Sequence, residues 1–278
     1  MIALPDLRIL PLNALIPHER TDPRRVAPLV ERLRAEAVLR NPPIVAPLDA
    51  AHRQFVVLDG ANRTAALLAL GVPHVLAQVV DYRAVTLSVW HHVIARCDAP
   101  QVLRTLSALE GLEIVAGDLT SARAALARRE ALAYMFIEDG EGKAQCLILL
   151  GGHNLRTRTD LLNQVVDAYE GCARVQRTIA ETLAEARAAF PEAALLVVFP
   201  RYERDEIVDL VRNEVRLPAG ITRHVLPLRA LRLNYPMDVL RSDLPLARKQ
   251  AHLSEWIHER LIQRQVRTYE EPTVLFDE

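Results

Sequence analysis

The chain has 278 residues, 50% hydrophobic and 25% charged, an ordinary globular composition that excludes disordered, collagen-like and low-complexity classes and suits two compact domains or one large one. Its 34 basic and 35 acidic residues leave a formal net charge of -1, so there is no global positive field to hold a nucleic acid backbone, and a nucleic-acid partner is not expected. The two lysines, Lys143 and Lys249, do not follow a G-x-x-x-x-G stretch, which excludes a P-loop. Cys97, Cys146 and Cys172 are odd in number, far apart and free of C-x-x-C spacing, as in a reduced intracellular chain. No apolar run approaches the ~20 residues that span a bilayer, and Met1 to Leu12 carries Asp6 and no basic stretch. A cytoplasmic location without membrane contact is therefore expected. Nine histidines occur without an H-E-x-x-H motif, and the adjacent pair His91 and His92 points in different directions, so a protein-built zinc site is not expected.

Taken in chain order, Leu7 to Leu12 reads as a first strand and Asn13 to Arg20 as a turn-rich passage that places Glu19 on a loop. Asp22-Pro23 opens a helix with Val26, Leu29, Val30, Leu33 and Ala37 at helical spacing, and Asn41-Pro42-Pro43 stops it. Ile44 to Ala46 and Gln54 to Leu58 are short strands. The passage Asp59-Gly60-Ala61-Asn62-Arg63-Thr64 then leads into a helix over Ala65 to Leu70, closed by Gly71. His74 to Val80 is a further strand, and Val85 to Ala95 is expected to start a helix.

In the second half, Leu103 to Leu109 and Ser121 to Arg129 look helical. Leu132 to Ile137 and Ala144 to Leu150 flank Asp139-Gly140-Glu141-Gly142 as a hairpin. Thr159 to Tyr169 and Val175 to Ala189 read as helices, Ala193 to Phe199 as a buried strand and Arg204 to Arg212 as a helix. After the turn at Pro218-Ala219-Gly220 come Ile221 to Val225, a last amphipathic helix from Leu246 to Arg264 and a β-like tail at Thr273 to Phe276. The apolar side of the last helix, Leu253, Trp256, Ile257 and Leu261, fits either a core or a dimer surface, and the oligomeric state is left open.

A glycine turn that opens a helix presents backbone N–H groups and the positive end of the helix dipole, which suits phosphate, and Arg63 adds a permanent charge. The same residues also fit a plain turn between strand and helix, with Arg63 solvated. Asp59 fits two roles, holding Mg²⁺ carried by a nucleotide or capping the helix that contains Thr64. Taken alone, Glu19 is a loop carboxylate or a partner of Arg20 or Arg24, Arg223 is a surface cation, and Trp90 is core packing.

A short strand, a helix and then a β-hairpin entering D-G-x-x-R resembles the ParB/sulfiredoxin superfamily. Its chromosome-partitioning branch carries G-E-R-R at this turn, its sulfiredoxins G-C-H-R, and its free L-serine kinases D-G-x-H-R; this chain has D-G-A-N-R. Ala61 stands where sulfiredoxins keep their nucleophilic cysteine, which removes that chemistry, and Asp59 favours the kinase branch. Pro17-His18-Glu19, Ser88-Val89-Trp90-His91-His92 and Leu217-Pro218-Ala219-Gly220-Ile221-Thr222-Arg223 are similar to further segments of the free serine kinases, in the same order. Asn62 departs from the usual His, although its amide still donates a hydrogen bond.

The resemblance implies an α/β (α+β) fold, with a ParB/sulfiredoxin-like nucleotide-binding module over residues 1–95 packed on a second mixed α/β domain, 96–278, that contributes the amino-acid site and a C-terminal helix. It implies a kinase that moves phosphate from ATP or ADP, with Mg²⁺, to the hydroxyl of free L-serine, giving O-phospho-L-serine. Glu19 would be the catalytic carboxylate, and Asp59, Gly60, Asn62, Arg63 and Thr64 the nucleotide cradle. Trp90, His92, Thr222 and Arg223 would bind the substrate, with Arg223 taking its carboxylate. The competing readings are a ParB-like nucleotide-binding regulator or adaptor without kinase activity, and an inactive homologue. A DNA-reading relative needs a helix-turn-helix after the first module, whereas residues 110–155 read as mixed strand and helix.

Overall fold

The computed structural model describes residues 4–95, 97–138, 144–171 and 175–269. In chain order the first elements are β1 (Asp6–Pro11), β2 (Leu15–Pro17), α1 (Pro23–Ala35), β3 (Val38–Leu39), β4 (Ile44–Pro47), β5 (Phe55–Asp59), α2 (Ala61–Ala69) and β6 (His74–Val79). They are followed by β7 (Thr86–Val89), β8 (His91–Ala95), α3 (Ala99–Ser107), β9 (Glu113–Gly117), α4 (Leu119–Ala127), β10 (Ala131–Glu138) and β11 (Ala144–Leu150). The remainder comprises α5 (Leu155–Glu170), β12 (Val175–Thr178), α6 (Leu183–Ala189), β13 (Ala193–Val198), α7 (Arg204–Arg212), β14 (Thr222–Val225), β15 (Tyr235–Pro236), α8 (Met237–Arg241) and α9 (Leu246–Ile262).

The chain forms two compact units. The first comprises residues 1–15, 23–81 and 228–278; the second comprises 16–22 and 82–227. The division expected at residue 95 therefore falls at 81/82, and the C-terminal segment returns to the first unit. Within that unit β1 runs antiparallel to β6, β6 parallel to β4, and β4 antiparallel to β5. Leu33 of α1, Ala66 and Leu67 of α2, Met237 and Leu240 of α8 and Leu253 of α9 join Val45, Val57, Val75 and Leu76 in one buried core. Trp256 and Ile257 pack against it, so the apolar side of the last helix is core there. Lys249 is buried and donates from Nζ to the carbonyls of Leu240 (2.8 Å) and Ser242 (2.7 Å), serving the C-terminal end of α8, where carbonyls lack helical partners.

The second unit is built on a six-stranded antiparallel sheet in the order β12-β8-β13-β10-β11-β9. Residues of α4 and α6 (Ala122, Ala125, Leu183, Ala186) cluster with Val93, Tyr134, Phe136, Leu196 and Val198 on one face. Because strand side chains alternate, His91 shares that face with Val93, while His92 points to the other, where it meets Tyr169 of α5.

Two elements expected as helices differ. Residues 85–95 form β7 and β8: the β-branched Thr86, Val89, Val93 and Ile94 favour extended backbone, and both faces of β8 are buried by the sheet's helices. Residues 175–189 divide into β12 and α6, because the Thr182 side chain accepts the Glu185 N–H and caps a new helix start. Strands β10 and β11 pair as the expected hairpin, and β9 joins β11 as an additional strand. The hairpin turn at 139–143 and the tail at 273–276 lie outside the described residues. Residues 113–150 thus carry β9, α4, β10 and β11, in line with the mixed strand and helix expected there.

Candidate active site

In the first unit, β5 ends at Asp59 and α2 begins at Ala61, with Gly60 between them at φ +93. That left-handed conformation disfavours a side chain, and a Cβ on Gly60 would lie 3.1 Å from Pro43 Cα. A Cβ there would also lie 3.2 Å from the Arg63 guanidinium, so Arg63 folds back over the turn. The first turn of α2 directs its amides toward the same loop. Thr64 is buried, and its hydroxyl donates to the Gly60 carbonyl (3.1 Å) instead of facing outward. Asn62 and Arg63 are half-buried.

Asp59 does not cap α2 through the first-turn amides; its Oδ2 accepts from Arg229 Nη1 at 2.5 Å. Desolvation pulls its pKa upward, but the charge and hydrogen bond of Arg229, the charge of Arg63 and the Gly60 N–H together hold the carboxyl below its ordinary value. Arg229 lies 170 residues away in sequence, and no motif around it signals the pairing. Among the described residues there is no group of three or more His, Cys, Asp or Glu suited to a metal ion. A magnesium ion carried by a nucleotide at this turn would meet Asp59 as a carboxylate.

In the second unit, β14 pairs antiparallel with β7, setting Thr222 opposite Val89 and Arg223 opposite Ser88. Glu19 lies beside this pair through a parallel bridge to Leu217, with Leu217 N–H donating to the His18 carbonyl and Arg20 N–H to the Leu217 carbonyl. Its carboxylate accepts four hydrogen bonds. Oε1 takes the N–H groups of Ile221 (3.1 Å) and Thr222 (2.7 Å) and the Thr222 hydroxyl (2.6 Å), while Oε2 takes the Gly220 N–H (2.8 Å). Oε1 is saturated, so Oε2 is the oxygen with capacity to accept a further proton donor. Arg20 pairs instead with Asp167, which leaves the first of the two ion-pair roles considered for Glu19 unfilled.

The Thr222 hydroxyl donates to Glu19 and so accepts from His18 Nε2 (2.7 Å), which sets the Nε2–H tautomer of His18. The edge of the buried His18 ring meets His224, which in turn contacts the Tyr82 hydroxyl at 3.0 Å. Arg223 stacks on Trp90 with its guanidinium carbon 4.5 Å from the ring centroid, leaving the N–H edges of the fork directed away from the ring face. Trp90 is held by its backbone N–H to the Ile221 carbonyl (2.8 Å).

His92 is buried between Tyr169, whose hydroxyl lies 2.8 Å from Nδ1, and Phe199. Burial, then the Arg177 charge, lowers its pKa to about 3 against a raising hydrogen bond with the Gly220 backbone. His92 is therefore neutral at pH 7 and acts on the 220–222 loop through Gly220. A Cβ at Gly220 (φ +76) would lie 2.3 Å from the Arg177 guanidinium, so only glycine fits beneath that side chain as it stands. The structure thus groups Glu19, Trp90, Thr222 and Arg223 around one short strand pair, with His92 behind it. The sequence gives no role to His18 or Tyr169, buried polar residues that carry no local signal, nor to Arg177, an exposed cation on β12.

No protein-family profile matches the chain. The ATP-dependent L-serine kinase SbnI of Staphylococcus aureus is 23% identical over 251 residues, covering 85% of each chain. An ATP-dependent L-serine kinase of Staphylothermus marinus is 26% identical, covering 84% of this chain and 90% of its own. Among solved structures, a free serine kinase in complex with AMP superposes with a TM-score of 0.71 at 20% identity, covering 84% of this chain and 93% of that one. In sequence and in fold, the chain is therefore similar over most of its length to ATP-dependent L-serine kinases.

Proposed function

We propose that the protein is a free L-serine kinase that transfers the terminal phosphate of ATP to the hydroxyl of free L-serine, giving O-phospho-L-serine. The observation that carries the reading is the Glu19 carboxylate, locked by the 220–222 backbone with one oxygen still able to accept a proton donor, beside an arginine whose N–H fork suits a free carboxylate. It stands in a chain similar over most of its length to ATP-dependent L-serine kinases.

Phosphoryl transfer asks the protein mainly for charge neutralisation and in-line positioning. In this reading the Gly60 turn, Asn62, Arg63 and the first amides of α2 hold the nucleotide phosphates, and Thr64 braces the turn from inside. Mg²⁺ accompanies the nucleotide and neutralises phosphate charge. Arg223 receives the serine carboxylate with Thr222 beside it, and Trp90 stiffens the arginine and excludes water. Glu19 Oε2 accepts a hydrogen bond from the serine hydroxyl, orients its oxygen toward the γ-phosphorus and takes the proton as the new O–P bond forms and the bond from that phosphorus to the bridging oxygen breaks, releasing ADP. The four donors fix the position of Glu19, which matters most where little negative charge builds on the attacking oxygen.

Incubation of the full chain with ATP, Mg²⁺ and L-serine, followed by mass spectrometry for phosphoserine, tests the proposal. L-serine is expected to be phosphorylated, and serine amide to be a poor substrate because the guanidinium would lose its anionic partner. Equal turnover of acid and amide would remove Arg223 from its role.

A further inference from the structure

On the face of the second sheet that carries α4 and α6 there is a cleft of about 430 Å³. His91, Leu126, Phe199, Arg201, Glu181 and Glu203 are among its lining residues. It lies on the opposite side of β8 from His92. His91 is 97% buried, and its Nδ1 accepts the Phe199 backbone N–H at 3.2 Å. That contact fixes the tautomer, so Nε2 carries the proton and donates. Among the described residues nothing accepts from it, and a fixed donor that opens into a cleft is available to an acceptor from outside the chain.

Three arginines line the same cleft, but they are not equivalent. Arg123 is paired with Glu181 at 2.6 Å and Arg129 with Glu206 at 2.7 Å. Arg201 has no ion-pair partner among the described residues. Its charge is felt at the His91 ring, where burial first and then Arg201, against Glu181, lowers the pKa to about 4. The ring is thus a neutral donor at pH 7 beside an uncompensated guanidinium.

We propose that this cleft binds a small organic monocarboxylate, one carboxylate oxygen accepting from His91 Nε2–H and the other from Arg201, with the ligand's hydrocarbon body on Phe199 and Leu126. The rim carboxylates Glu181 and Glu203 disfavour a doubly charged phosphate, whereas one guanidinium and one neutral donor match a single negative charge. None of Glu19, Thr222 and Arg223 lines the cleft, and the inference does not depend on the kinase reading.

The test uses the full chain with ¹⁵N-labelled histidine, the His91 resonances being assigned by comparison with His91→Asn, and titrates butyrate and, separately, inorganic phosphate. Butyrate at millimolar concentrations is expected to move the His91 Nε2 resonance saturably, and Arg201→Ala, at an exposed position, to weaken that response about tenfold. A response to phosphate but not butyrate would overturn the carboxylate assignment. So would the absence of a saturable shift with butyrate, or an Arg201→Ala protein that responds as the parent does.

Discussion

As proposed, the Gly60 turn and the Glu19 junction both handle negative charge, by opposite means. The turn gathers its parts from consecutive residues, Asp59 to Thr64, with a cation, Arg63, laid over a glycine whose left-handed backbone disfavours a side chain. The junction draws on residues some 200 positions apart, and there the anion is the protein's own, Glu19, seated in the N–H groups of residues 220–222. An open anion site depends on charge supplied by side chains; a filled one depends on geometry. Substitutions at the two should therefore fail in different ways.

The largest expected effect is at the junction. Each of the four contacts to Glu19 is a donor, so Glu19→Gln is not a neutral exchange: its amide NH₂ must face an N–H group that the carboxylate oxygen accepted. Phosphoserine formation is expected to fall by about 10²–10⁴ in kcat, with a lower Tm and unchanged nucleotide affinity. An unaltered rate in steady-state assays would show Glu19 to be purely structural.

Acid should strike the second unit through His92 and His91, whose folded pKa values of about 3 and about 4 lie below the ordinary 6.5. The unfolded chain binds these protons first, so the contribution of each neutral ring is complete above pH 6.5 and declines by about 1.4 kcal/mol per pH unit below it, until the folded pKa is reached. Urea unfolding between pH 7 and 4.5 measures the slope, and His92→Phe should flatten it.

At the turn, Arg63→Ala is expected to weaken AMP binding by about 1.5–3 kcal/mol, the scale of a charged hydrogen bond, with little change in Tm. Calorimetric titration reads it, and parental affinity would remove Arg63 from the cradle. Gly60→Ala should cost roughly 1–2 kcal/mol of stability through the left-handed backbone, with the Pro43 contact adding to it. A parental Tm would show that the turn relaxes freely.

The same contrast explains what could be read before the structure. The turn was legible because strand, glycine and helix start are adjacent, and local backbone preference decides them. Residues 85–95 were not: the run from Val85 through Trp90 to Ala95 fits a buried helix or two strands, and only the pairing of β8 with β12 and β13 decides between them. The return of residues 228–278 to the first unit was equally hidden, since Arg229 beside Asp59 and Leu253 in the core are contacts across most of the chain. At the junction the residue types were legible through resemblance, but the fourfold seating of Glu19 was not, because it depends on backbone amides that carry no sequence signature.

Phosphate transfer from ATP to free serine is followed by ³¹P NMR of the full chain with ATP, Mg²⁺ and L-serine, the parent and Glu19→Gln run side by side. A phosphoserine signal matched by ADP is expected to grow in the parent, at a rate two orders of magnitude or more above that of the variant. ATP that stays intact in a parent protein that binds AMP, or phosphoserine formed equally by both proteins, would show that the chain does not carry out this transfer through Glu19.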